Sequence, residues 1–287
     1  MSGELEPTGE RVIEEAYYGS RGAFTIYVLH AASYSFAERY CVDARTIDLG
    51  CGSGYGAARI SAVARAVVGV DVSSEAVAFA QARYDLSNLT FKQIDPDARL
   101  PFNDGKFDVA LSFQVIEHVT NDERYIEEAF RVLRPGGVLI LITPDRRYRL
   151  FPGQKPWNRW HLREYSMRAL CKLVRRQFVI EQALRMGAPW SIASIEFRRY
   201  RLAKWLTLPM TLPFVPENLR RRGLDLIHAL RTQQKPVAAN MRDCKPDYGF
   251  DETAILVGKN PPNPINLVVI ARKPWNSGSS ESSKNYE

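Results

Sequence analysis

Histidine and cysteine are both scarce in this chain, at four residues each among 287. Cys41, Cys51, Cys171 and Cys244 fall in no metal or redox spacing, which excludes a sequence-encoded zinc site, a dithiol motif and a disulfide scaffold. No metal is expected, and the thiols fit a reducing compartment. A long apolar run is also missing. The richest apolar stretch, residues 205–216, is too short and too broken by Pro209, Pro213 and Pro216 to span a bilayer. The first residues carry Glu4, Glu6 and Glu10 without a basic n-region, so no secretory signal is read there and a cytoplasmic location is expected. No internal repeat is present.

What the chain does have is an ordinary apolar content, 45%, and enough length for a sheet buried on both faces. Short apolar runs alternate with helical stretches, the pattern of βαβ units around a parallel sheet. Strands are predicted near 45–49, 66–70, 89–94, 107–113, 137–143, 177–183 and 266–272. Helices are predicted near 14–40, 54–64, 74–84, 121–133 and 164–175. Asn121 is placed to cap the fourth of these helices, with Asp122 and Glu123 at its positive end, and Pro135-Gly136-Gly137 stops it.

One stretch carries more information than the rest. Thr46-Ile47-Asp48-Leu49-Gly50-Cys51-Gly52-Ser53-Gly54-Tyr55-Gly56 ends a strand on an acid and runs into four alternating glycines. Glycine at that density lets the backbone turn sharply and lets a ligand lie against main-chain N–H groups. Asp71 closes the next apolar run, where a carboxylate can accept both hydroxyls of a ribose. The loop alone is ambiguous, because Gly52-x-Gly54-x-x-Ala57 with Asp71 also satisfies a loose dinucleotide fingerprint. A nicotinamide binder is therefore the competing reading. Three features point elsewhere: the acid Asp48 inside the strand end, the run Ser112-Phe113-Gln114-Val115-Ile116-Glu117-His118, and Leu133-Arg134-Pro135-Gly136-Gly137 before a fifth strand.

In that order these residues resemble class I S-adenosylmethionine-dependent methyltransferases, over roughly 8–182 and again at Asn266 to Lys273. The resemblance implies a Rossmann-like α/β fold, a seven-stranded sheet, mostly parallel with one antiparallel strand and helices on both faces. The roughly 80 residues before the last strand exceed what the family's hairpin needs and read as a basic helical insertion. It divides the chain into an N-terminal helical lid (1–41), a cofactor-binding core (42–182 and 266–275), an insertion (183–265) and a disordered tail (276–287). It implies S-adenosyl-L-methionine as cofactor. Asp48, Gly50, Cys51, Gly52 and Gly54 would form the cofactor loop, Asp71 would bind the ribose and Val72 the adenine. Asp95 matches a third acidic position near the adenine amino group. One extra residue separates it from Leu100-Pro101-Phe102, so Asp97 is an alternative. Gln114 would lie beside the sulfonium.

If the acceptor is a hydroxyl, a general base is needed. Among His30, His118, His161 and His228, the candidates are His118, at the carboxyl edge after the fourth strand, and His161, in Trp157-Asn158-Arg159-Trp160-His161-Leu162-Arg163-Glu164-Tyr165. Either could be the base or orient the acceptor, and His118 could instead be a packed residue shaping the pocket floor.

Charge is divided unevenly. Residues 1–145 carry 13 Lys/Arg against 21 Asp/Glu, whereas residues 146–231 carry 19 against 5. That asymmetry suggests an anionic partner. Within 197–231, cationic residues alternate with Trp205, Leu206, Phe214 and Leu219, so peripheral contact with a membrane face is one expectation. A roof of apolar side chains over the active site is the other. The motifs Thr8-Gly9-Glu10-Arg11, Ser112 to His118 and Trp160 to Tyr165 are similar to bacterial methyltransferases of the type-11 group, many of which act on surface polysaccharides, sugar lipids or quinones. The leading expectation is methyl transfer to a hydroxyl of a glycan, a sugar lipid or another small anionic acceptor. An RNA methyltransferase is the second reading, although no Asn-Pro-Pro-Tyr-type motif follows the fourth strand. A non-catalytic partner protein with the same fold is the third.

Overall fold

A computed structural model describes residues 17–232 and 247–275. Thr8 to Arg11, Cys244, the 276–287 tail and the side chain of His228 lie outside the described residues. The chain runs α1 (Arg21–Cys41), β1 (Arg45–Leu49), α2 (Tyr55–Ser61), β2 (Ala66–Asp71), α3 (Ser74–Arg83), β3 (Leu89–Gln93), β4 (Phe107–Phe113), α4 (Asp122–Val132), β5 (Leu133–Pro144) and α5 (Arg146–Arg149). It continues through α6 (Met167–Val174), β6 (Val179–Gly187), α7 (Trp190–Leu206), α8 (Leu208–Thr211), α9 (Glu217–Thr232), β7 (Leu256–Gly258) and β8 (Pro264–Arg272).

The strands form one sheet in the order β3-β2-β1-β4-β5-β8-β6-β7. β3, β2, β1, β4 and β5 are parallel neighbours, while β8 runs antiparallel to both β5 and β6. The expected seven strands become eight because β7, three residues long, pairs antiparallel with the edge of β6. There are therefore two antiparallel strands where one was expected. A strand this short, lying in a stretch without period-two patterning, leaves no signal in sequence.

Side chains alternate across the sheet and feed two cores. Ile47, Leu49, Ala110, Leu139 and Leu141 meet Ile126, Ala129 and Leu170 from α4 and α6 on one face. Val67, Val109, Leu111, Phe113 and Ile140 meet α1, α2 and α7 on the other. β1 is central, so Thr46 and Asp48 are fully covered, while Arg45 at its start is half-buried. α4 begins as its sequence implies, with the Asn121 side chain accepting from the Arg124 N–H at 3.0 Å. Strand order reverses between β1 and β4, which places a crevice beyond their carboxyl ends, where ligands bind in open α/β sheets.

Candidate active site

The loop after β1 is shaped by positions where a side chain would not fit. Gly50 has φ +80°, and a Cβ there would fall 2.5 Å from Val115 Cγ2. Gly54 has φ +82° and begins α2, where a Cβ would fall 2.7 Å from both Ala80 and Phe91. These approaches, with the Gly50 and Cys51 N–H groups bonded to Val70 O at 2.8 and 3.0 Å, set the loop against β2, β3, α3 and the segment after β4, and Gly50 and Gly52 line a cleft of about 460 Å³.

Asp71 stands at the tip of β2 on the same cleft. Its Oδ2 accepts the Gly52 N–H at 2.9 Å and its Oδ1 the Ser73 N–H at 2.9 Å. Each oxygen keeps a second lone pair, so the carboxylate is oriented without being saturated. Val72, Ile94, Leu100 and Val119 supply apolar walls suited to a flat ring, and Asp95 and Asp97 both reach the same end. Asp95 Oδ1 accepts the Asp97 N–H at 2.8 Å, so the two acids sit on one turn and the sequence ambiguity between them persists in space. Glycine main chain, a fixed carboxylate, an apolar slot and a second acid fit a nucleoside carrying an amino-acid tail.

Of the residues expected to hold the cofactor, Gly50, Gly52, Asp71, Val72, Asp95 and Gln114 line the cleft. Asp48, Cys51 and Gly54 do not. Asp48 is 1% exposed and lies beneath the loop, its Oδ2 accepting the Tyr34 hydroxyl at 3.0 Å. Burial, helped by the nearby charge of Asp71, lifts its carboxyl from the ordinary range to about 7, while the Tyr34 hydrogen bond pulls the other way. Burial likewise raises the Tyr34 hydroxyl, which therefore stays protonated and donates. Cys51 is buried with its thiol pushed well up by desolvation, so it is a packed, unreactive residue.

Gln114 holds the junction. Its φ is +58°, rare for a residue with a side chain, and its N–H is fixed to Ile142 O at 2.8 Å. The left-handed turn carries the chain from β4 into Val115 to Val119, and Gln114 lines both the cleft and a neighbouring cavity of about 70 Å³. That smaller cavity is walled by His161, Trp157, Asn158, Tyr200, Arg149 and His30, among others. α1 contributes Ile26, Leu29 and His30 to it and none of its residues to the cleft.

The two candidate histidines, 43 positions apart in sequence, meet here. His118 lines the cleft and His161 the cavity, and their rings stand edge-on with centroids 4.7 Å apart. His161 Nδ1 is 3.1 Å from Glu164 Oε1, and His118 Nδ1 is 3.1 Å from Trp160 O. Burial raises the Glu164 carboxyl, but the Arg149 guanidinium and His161 outweigh it and hold it below its ordinary value. An ionised carboxylate and a backbone carbonyl only accept, so each histidine carries its Nδ1 proton toward them and keeps Nε2 as the basic nitrogen when neutral. Arg149 is itself buried, donating to Glu164 at 2.9 Å and lying over the rings of Trp157 and Tyr200.

Glu117 belongs to the same group. Its Oε2 accepts the Thr143 hydroxyl at 2.9 Å, and its carbonyl accepts the Leu162 N–H at 2.9 Å, joining the segments after β4 and β5. Glu117, His118 and His161 each offer a ligand-type atom, all within 4.8 Å of one another, a grouping no sequence spacing announced. Glu117, Glu164, Arg149 and Tyr34 were not singled out from sequence. Glu164 had one available signal, its position three residues after His161.

The family model described as a methyltransferase domain matches residues 47–141, from β1 into β5. A probable S-adenosylmethionine-dependent methyltransferase of Mycolicibacterium smegmatis is 36% identical over 200 residues, spanning 68% of this chain and 73% of that protein. A ubiquinone biosynthesis O-methyltransferase of Rhodopseudomonas palustris is 32% identical over 114 residues, spanning 37% of this chain and 42% of that one. The solved S-adenosylmethionine-dependent methyltransferase of Thermotoga maritima superposes with a TM-score of 0.53 at 17% identity, covering 87% of this chain and 91% of that one, which speaks for the fold. The nicotinamide reading of the glycine loop falls away, and the chain belongs to the S-adenosylmethionine-dependent methyltransferases, with S-adenosylmethionine as its cofactor.

Proposed function

We propose that the chain methylates a hydroxyl of a small acceptor, a glycan or sugar lipid or a related anionic molecule, whose reacting hydroxyl is presented to the small cavity beside Gln114. The observation that carries this reading is the buried relay Arg149–Glu164–His161, ending on a histidine that walls that cavity. When bound, S-adenosylmethionine supplies a methyl group on a positively charged sulfur that leaves as a thioether. Asp71 and the Gly50–Gly52 main chain would hold its ribose and amino-acid portions, and Gln114 would border the sulfonium. The protein's main task is then alignment of acceptor and donor across the Gln114 wall.

A hydroxyl must lose its proton as it is methylated. His161 takes that proton at Nε2, and the resulting imidazolium is stabilised through Nδ1–H by Glu164, which Arg149 keeps ionised. His118, edge-on to His161, orients the acceptor or passes the proton toward the cleft. The name of the Rhodopseudomonas palustris relative supports oxygen as the accepting atom. The strongly basic 146–231 segment supports an acceptor with anionic groups.

The test is transfer of isotope-labelled methyl groups to a panel of sugar lipids, soluble glycans, quinols and RNA, with products identified by mass. His161→Ala is expected to lower turnover by ~10²–10⁴ while S-adenosylhomocysteine affinity stays within about twofold. Transfer to a hydroxyl acceptor at wild-type rate in His161→Ala would place the base elsewhere. Labelling of RNA alone would replace the proposed substrate class.

A further inference from the structure

Leu202, Trp205, Leu206 and Phe214 line neither the cleft nor the cavity, so the expectation that they roof the active site does not hold for them. They are instead the most conspicuous part of the surface. Of the fifteen large apolar side chains exposed among the described residues, seven lie between 202 and 226: Leu202, Trp205, Leu206, Met210, Phe214, Leu219 and Leu226. Phe214, on the turn between α8 and α9, is 78% exposed. Single exposed apolar residues are ordinary, but a concentration of them marks an interaction face.

Helical spacing interleaves that face with cations. On α7, Arg198, Arg201, Leu202 and Trp205 follow at i, i+3, i+4 and i+7 and are all exposed. On α9, Leu219, Arg222 and Leu226 repeat the pattern at i, i+3 and i+7. Such residues share one side of a helix. The opposite sides are occupied: α7 buries Ile192, Ala193, Glu196, Tyr200 and Ala203, and α9 buries Arg220 and Leu224. Arg198, Arg201 and Arg222 have no carboxylate within 4.0 Å among the described residues, whereas the exposed Arg221 is paired with Glu217. No described helix is long and apolar enough to cross a membrane.

We propose that the exposed face of α7 to α9 docks on an anionic lipid bilayer, with Trp205, Leu206 and Phe214 entering the headgroup region and Arg198, Arg201 and Arg222 meeting lipid phosphates. A lipid surface is the occupant that takes both components at once: aliphatic and aromatic side chains partition into it while neighbouring cations find anionic headgroups. A nucleic acid would match the cations and the tryptophan but gives four aliphatic side chains nothing to enter. The face is also fastened to the active site. Gln154 Nε2 donates to Lys204 O at 3.0 Å and to Thr211 Oγ1 at 2.8 Å. Lys155 Nζ donates to Val215 O at 2.5 Å, and Arg220 Nη1 to Pro156 O at 2.7 Å. The loop held in this way leads into Trp157, Asn158 and His161, so docking fixes the acceptor cavity relative to the bilayer. Binding of this face to lipid does not depend on which acceptor is methylated.

The test is co-sedimentation of the full chain with phosphatidylcholine vesicles, with and without about 30 mol% phosphatidylglycerol, over a range of salt. Binding is expected to the anionic vesicles and to weaken with salt. Arg201→Glu/Arg222→Glu is expected to reduce partitioning by at least ~10-fold, about 1 kcal/mol being typical per cation near such a surface. Trp205→Ala/Phe214→Ala should reduce it comparably, and Leu86→Ala, exposed on the loop before β3, should leave it unchanged. S-adenosylhomocysteine affinity reports whether each variant is folded, and the lipid and salt dependence of the wild type tests the proposal without any variant. No sedimentation with anionic vesicles overturns it, as does binding insensitive to Trp205 and Phe214. Capture of an oligonucleotide without vesicle binding would assign the face to nucleic acid. A dimer in light scattering that Phe214→Ala dissolves would assign it to a second copy of the chain.

Discussion

Replacing Asp48 by Asn isolates the energetic consequence of placing a carboxyl in the centre of the sheet. Asp48 is 1% exposed, has one hydrogen bond from Tyr34, and its Oδ1 has no hydrogen-bond partner. Its carboxyl titrates at about 7 in the folded protein against 3.8 ordinarily. The native state therefore holds a proton that the unfolded chain has released, so this contribution to stability is complete in acid and is lost as pH rises through 7. Three units at 1.36 kcal/mol each give about 4 kcal/mol in all, of which roughly 2–3 kcal/mol falls between pH 5 and pH 7.5. Asn keeps the acceptor for Tyr34 and does not ionise. The stability of the wild type relative to Asp48→Asn should thus fall by roughly 2–3 kcal/mol across that interval, about 5 °C or more in Tm for a domain of this size. Titrating groups that do not interact with Asp48 cancel in the comparison. Chemical denaturation of both proteins at pH 5 and pH 7.5, without cofactor, measures it. Parallel pH dependence within about 0.5 kcal/mol would show that Asp48 is not held neutral beneath the loop.

If Asp71 holds the ribose as proposed, Asp71→Ala removes the acceptor for two hydroxyls, each hydrogen bond to a charged group being worth roughly 1.5–3 kcal/mol, so S-adenosylhomocysteine affinity should fall at least ~100-fold by calorimetry. Affinity near wild type would move the cofactor off the tip of β2. Gly56→Ala places a Cβ 1.9 Å from the Tyr34 ring, and the overpacking should cost roughly 1–3 kcal/mol in denaturant melts; an undiminished midpoint would mean that α1 does not press on α2 as described. Gln114→Gly relieves a left-handed backbone, which should stabilise the fold by up to ~1 kcal/mol while turnover falls because the side chain shared by both cavities is gone. Stability and activity moving in the same direction would contradict the part assigned to Gln114.

The parallel half of the sheet was legible because its determinants are local. Apolar runs fix β1 to β5 within a few residues, Asn121 caps α4, and the glycines and Asp71, ambiguous by themselves, take their meaning from the runs at 112–118 and 133–137. Reading each loop residue as a cofactor contact went further than local pattern allows. Gly54 is required by Ala80 and Phe91, and Asp48 points to Tyr34, because alternation along β1 sends it to the face that α1 covers. The short β7 escaped notice because three residues hydrogen-bonded at a sheet edge have no period to detect.

The sequence by itself determined the fold class and the family, since the apolar runs, the glycine turn with its strand-end acids and the runs at 112–118 and 133–137 are each local patterns. Only the tertiary structure decided which side chains meet around the candidate site. His118 and His161 are brought edge to edge because β4 and β5 are neighbours and Glu117 ties the segments that follow them. Glu164 and Arg149 meet as a buried ion pair, with the guanidinium over the rings of Trp157 and Tyr200. The apolar residues of α7 to α9 could have faced inward by composition alone. Helical phase, set by which side of each helix the core accepts, turned them outward.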